Sequence, residues 1–119
     1  MIQAFFSRRN DNGTESITLR LMGHAGASKE GEDIVCASAS ILAYTVAQSL
    51  QFLYEEGGLE DKPIIRLDKG DAEITAIPKY TSYKEALHTF FVAQVGYHLL
   101  AHNYPQYVEL HSFGEAESA

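Results

Sequence analysis

The sequence has one cysteine, Cys36, no tryptophan and three prolines in 119 residues. A lone cysteine excludes an intramolecular disulfide, a Cys-x-x-Cys pair and a zinc ribbon, so a secreted disulfide scaffold is excluded. Basic residues are also scarce: Lys+Arg number 9 against 16 Asp+Glu, a formal net charge of −7. Phosphate contacts need clustered Lys and Arg, so a direct grip on nucleic acid is not expected. No window approaches the roughly 18 unbroken apolar residues of a membrane span. Met1–Arg9 carries its charges after a short apolar run, the reverse of a signal peptide. These absences predict a soluble, cytoplasmic protein with no membrane partner. No repeat, Pro-rich tract or Gln-rich tract is visible.

What is present suits one domain. A chain of this length with 45% apolar residues can build a core without staples. Residues 1–111 are read as that domain, and the small, acidic stretch 112–119 as a frayed tail. Met1–Arg9 and Glu15–Met22 alternate as strands around Asn12-Gly13, a strong hairpin signal. Asp33–Glu56 carries Ile34, Ile41, Leu42, Val46, Leu50 and Leu53 near the helical period, with Gly57-Gly58 as its stop. Its early turns are thin (Ala37, Ser38, Ala39, Ser40, Ala43), which lets the helix approach a sheet closely. Pro63–Asp68 and Ala72–Ile77 read as a second strand pair around Lys69-Gly70-Asp71. Ser82-x-x-Glu85 is a capping box that opens a second helix to about Asn103, with Leu87, Phe90, Phe91, Val95 and Leu99 as its buried stripe. Tyr107–Leu110 reads as a short final strand. The order ββαββα, plus that strand, predicts an α+β fold with two helices packed on a mainly antiparallel sheet.

The chemistry-bearing residues gather between the second strand and the first helix. With Asp33 as N-cap, Cys36 falls at the third helical position, in the turn where unpaired N–H groups and the positive end of the helix dipole lie. A thiol there is biased toward the nucleophilic thiolate, and the spare amides of that turn are candidates to hold an oxyanion. His24, at the end of the second strand, precedes Cys36 by a glycine-bearing loop that can double back, so it is the candidate base and later the acid for a leaving amine. Ser40 lies one turn after Cys36 and can donate a hydrogen bond into the site. Gly26 and Gly31 are turn formers that could also hinge the loop. Taken separately, the cysteine also reads as a small buried hydrophobe and Gly-His as an ordinary turn. Asp33 reads first as a cap. His98 and His102, spaced i, i+4, lack a third ligand, so neither a metal nor any cofactor is expected. Tyr83, Phe90, Phe91 and Tyr97 read as core or dimer contacts, with a place in a substrate pocket as the alternative.

Gly23-His24-Ala25 followed by Gly31-x-Asp33-Ile34-Val35-Cys36-Ala37-x-x-Ser40 resembles the signature of the ribosomal-processing cysteine protease family, Prp. The resemblance spans about residues 1–110. It implies a Cys nucleophile and a His base at Cys36 and His24, with Asp33 and Ser40 at further family positions. It also implies a mobile loop between the two, a homodimer, and a substrate that is the N-terminal extension of large-subunit ribosomal protein twenty-seven, cut just after aromatic residues. The loop Gly26-Ala27-Ser28-Lys29-Glu30 departs from many relatives in having no aromatic residue. Two rivals stand beside this reading. One is a ribosome-associated binding protein without catalysis, and the other is a single-cysteine redox or acyl-transfer enzyme.

Overall fold

The computed structural model describes residues 1–24 and 32–114, excluding the side chains of Glu32 and Asp33. Strand β1 (Ile2–Asp11) turns into β2 (Thr14–Met22). Helix α1 (Glu32–Glu55) follows, then β3 (Ile64–Asp68) and β4 (Asp71–Ala76). A single 3₁₀ turn, Tyr80–Ser82, leads into α2 (Tyr83–Asn103), and β5 (Val108–His111) ends the order. The five strands form one sheet in the order β3-β4-β2-β1-β5. All neighbours are antiparallel except β1 and β5, which run parallel. The expected α+β architecture is therefore observed.

The hairpin β1–β2 forms where Asn-Gly predicts it. Asn12 and Gly13 both take positive φ (55° and 90°), and the Gly13 amide donates to Asn10 Oδ1 at 2.9 Å. The alternation of β1 holds, with Ile2, Ala4 and Phe6 buried under the helices. Ile17 and Leu19 of β2 and Ile74 and Ala76 of β4 continue that floor. The opposite face mixes Thr18, Arg20, Glu73 and Thr75 with Phe5 and Ile64, and Thr18 and Thr75 share a hydrogen bond there at 2.8 Å between paired β2 and β4.

The helices bury narrower residues than the apolar pattern suggests. On α1 the sheet side is Val35, Ala39, Ala43, Val46, Ala47 and Leu50. Ile34 and Ile41, expected inside, are each 60% exposed. On α2 the buried stripe is Ala86, Phe90, Ala93, Tyr97 and Leu100, while Phe91, Val95 and Leu99 face outward. Alanines on the inner stripes let the helices lie close to the sheet and to each other, and Ile34, Ile41, Val95 and Leu99 lie outside those stripes. Gly96 serves the same approach, since a Cβ there would come within 2.7 Å of a Leu42 methyl. Ile34–Glu55 is long and apolar enough, by length and composition, to cross a membrane. This differs from the expectation of no such stretch, but the inner stripe of that helix packs on the sheet.

Two helix starts differ from expectation. Ser82 makes no side-chain capping hydrogen bond; the 3₁₀ turn, closed by the Ser82 amide on the Lys79 carbonyl at 3.0 Å, introduces α2 in place of a capping box. Helix α1 is already formed at Glu32, so Asp33 lies within its first turn and is not the N-cap.

Candidate active site

Cys36 and His24 line the same cleft, which has a volume of about 400 Å³. Four pieces of chain meet there: the start of β1 (Ile2), the end of β2 (Leu21, Gly23, His24), one side of α1, and the β3–β4 turn (Leu67 to Ala72). Cys36, Ser40, Ala43 and Tyr44 lie on the helix side because their spacing repeats each turn. Cys36 is half-buried and packs partly against the core, whereas His24 and Ser40 are exposed.

The end of β2 is held by backbone contacts that only glycine permits. Gly23 has φ +94°, and a Cβ on it would lie 2.2 Å from the Met1 carbonyl oxygen. Its amide donates to the Gly70 carbonyl at 2.9 Å, and the Met1 amino group donates to the His24 carbonyl. These bonds fix the backbone on both sides of the His24 α-carbon.

The far wall is tied by charge. Arg66 bonds Asp71 through Nη2 at 3.3 Å, the Asp71 carbonyl through Nη1 at 3.1 Å, and Asp68 through Nη1 at 3.3 Å. Arg20 of β2 approaches Asp71 at 3.8 Å. The hydrogen bond to Asp71, then that to Asp68, raises the Arg66 guanidinium above its ordinary value. Behind Cys36, the Tyr97 hydroxyl donates to the Ala39 carbonyl at 2.8 Å and fastens α2 to α1. Burial pushes the Tyr97 hydroxyl far above the usual tyrosine range, so it stays a neutral donor.

The structure corrects the position of Cys36 in its helix. Cys36 stands four residues beyond Glu32, where its amide is inside the i to i−4 ladder and is not a spare donor. Gly26 and Gly31, read as loop hinges, and the side chain of Asp33 lie outside the described residues. Of the aromatics considered for a substrate pocket, Phe90 and Tyr97 are buried in the core and Phe91 faces outward. Tyr44 lines the cleft instead. The sequence reading missed it, although it follows Ser40 by one turn and helical periodicity would have found it. It also missed the wall made by the β3–β4 turn, because a hairpin turn carries no signal of what lies beside it. His98 and His102 stack with ring centroids 6.5 Å apart on α2.

The family model described as Cysteine protease Prp matches residues 1–109. The fold is similar to that of SMU.848 from Streptococcus mutans, at 28% identity and a TM-score of 0.65, covering 95% of this chain and 93% of that one. It is also similar to an essential ribosomal processing protease Prp from S. aureus in complex with a substrate peptide, at 22% identity and a TM-score of 0.66, covering 95% and 99%. The same S. aureus protease with a covalently linked product peptide matches at 23% identity and a TM-score of 0.63, again over 95% and 99%. Among curated protein sequences none matches. A match over nearly the whole chain, on a fold with a cysteine and a histidine in one cleft, places the chain in the cysteine protease Prp family and makes it a cysteine protease.

Proposed function

We propose that this protease removes the N-terminal extension of large-subunit ribosomal protein twenty-seven, cutting after an aromatic residue, with Cys36 as nucleophile and His24 as base. The observation that carries the reading is the shared cleft of Cys36 and His24. A cysteine protease needs a thiol, and Cys36 is the only one in the sequence. The similar S. aureus protease is a ribosomal processing enzyme, which supports a ribosomal protein as substrate.

In this mechanism His24 takes the Cys36 proton and the sulfur attacks the scissile carbonyl. The tetrahedral intermediate collapses with expulsion of the amine, which His24 protonates. Water, activated by the same imidazole, then hydrolyses the thioester and releases the thiol. Leu21, Tyr44 and Leu67 give the cleft apolar walls for an aromatic side chain. Ser40 stands beside Cys36 as a hydrogen-bond donor. A net charge of −7 attracts a basic ribosomal protein in a salt-dependent way. The protein acts in the cytoplasm as a homodimer, and the outward apolar side chains Ile34, Ile41, Phe91, Val95 and Leu99 supply a face for the second copy.

The test is mass spectrometry of the ribosomal protein after incubation with the purified chain. Loss of one N-terminal fragment with the native chain, and none with Cys36→Ala, is expected. An intact substrate with both chains, together with slow alkylation of Cys36, would favour a binding protein with a packed cysteine.

A further inference from the structure

Resting on the reading of Cys36 and His24 as nucleophile and base, we propose that Gly70 is a positioning residue of the protease. Its bare α-carbon, at the tip of the β3–β4 turn, is the seat on which the His24 imidazole lies. Gly70 has φ +79°, and a Cβ built on it would stand 2.6 Å from His24 Nε2 and 2.7 Å from Cε1. Cβ atoms do not approach other heavy atoms that closely, so any side chain at position 70 must displace the ring. The same residue also holds the backbone that leads to His24, because its carbonyl accepts the Gly23 amide at 2.9 Å. Ring and backbone are thus registered on one residue of a different hairpin.

That residue is itself anchored. Asp71, its neighbour, is bridged to Arg66 at 3.2 Å and to Arg20 at 3.8 Å. Arg66 also holds Asp68, on the other side of the turn, at 3.3 Å. The turn is therefore the firm partner and the exposed imidazole the yielding one. Beyond the backbone strain of a side chain at φ +79°, the collision costs the fold little, since the ring can swing away, but it costs the chemistry much. A misplacement of about 1 Å in a reacting group can cost on the order of a hundredfold in rate.

The hairpin turn at the other end of the sheet supplies a control. Gly13 has φ +90° and nothing within 4 Å of where its Cβ would stand. Gly13→Ala therefore carries the backbone strain of Gly70→Ala without the collision. Gly70→Asn separates the two effects from the other side, because Asn tolerates positive φ better but still brings a Cβ.

The experiment measures kcat and KM for a peptide spanning the ribosomal extension, the rate of Cys36 alkylation by iodoacetamide, and thermal unfolding. Gly70→Ala and Gly70→Asn should each lower kcat by about a hundredfold while KM stays within about threefold. Alkylation of Cys36 should slow in both, and Gly13→Ala should keep the native kcat. A Gly70→Asn chain with native kcat would overturn the proposal, since strain alone would then explain Gly70→Ala. A loss confined to KM would overturn it too, by placing Gly70 against substrate. If the native chain leaves the peptide intact, or Cys36→Ala cuts it equally well, the nucleophile reading fails and the positioning role falls with it.

Discussion

The sheet carries two hairpin turns of similar make, Asn12-Gly13 and Lys69-Gly70, and they differ in what lies beside them. Both glycines take positive φ, at +90° and +79°. Space around Gly13 is open, whereas at Gly70 the ring of His24 fills the place of a side chain. The first turn is closed locally, through Asn10. The second is held by Arg66 on its own strand and by Arg20 of β2, and it accepts a hydrogen bond from Gly23. A glycine at positive φ thus closes a hairpin in one place and walls the Cys36–His24 cleft in the other. A turn's sequence shows how the chain reverses; only the packing shows what the reversal is for.

The sharpest way to break this contrast is to remove the chemistry itself. Cys36→Ala is expected to abolish peptide cleavage with the melting temperature retained, read by mass spectrometry and circular dichroism. His24→Ala should lower kcat by about 10²- to 10⁴-fold, the usual scale for losing a general base. It should also erase the difference between the turns: with the ring gone, adding Gly70→Ala should change kcat no further. An additional loss in that double variant would mean that Gly70 acts on something other than His24. Arg66→Ala, which frees the turn without touching the ring, should reduce kcat by less than Gly70→Ala does.

The smallest expected effect lies behind the cleft. Tyr97→Phe removes the bond to the Ala39 carbonyl and should cost about 1 kcal/mol in urea unfolding, because the carbonyl also faces its own helix ladder. The pH dependence gives an independent reading. Tyr97 is raised by burial above the ordinary tyrosine value of about 10, so the unfolded chain loses this proton first. Its contribution is therefore complete below about pH 10 and declines as pH rises above that. Tyr97→Phe should flatten that decline; an unchanged alkaline slope would show that other groups cause it.

Strand alternation and turn chemistry were legible because each is a local property. Ile2, Ala4 and Phe6 alternate in the sequence and are buried as written. The helices were harder. A hydrophobic pattern ranks Ile34 and Ile41 above Ala39 and Ala43, yet close packing selects the small residues and turns the large ones outward. The start of α1 was misplaced because Asp33 is a good cap by type, and the helix had already begun before it. His24 and Cys36 were legible as a pair through their motif. Leu67 and Gly70 were not, since they reach the cleft through the pairing of β3 with β4; Tyr44 was legible by helical spacing from Ser40 and was overlooked.

All described residues lining the cleft fall between Ile2 and Ala72, while Phe90, Tyr97 and Val108, which complete the core behind it, come later in the chain. During synthesis every lining side chain has emerged before the helix that backs α1 exists. The described walls of the cleft are therefore made before the core that backs them. Closing the core through α2 and β5 is thus the last step in assembling the cleft.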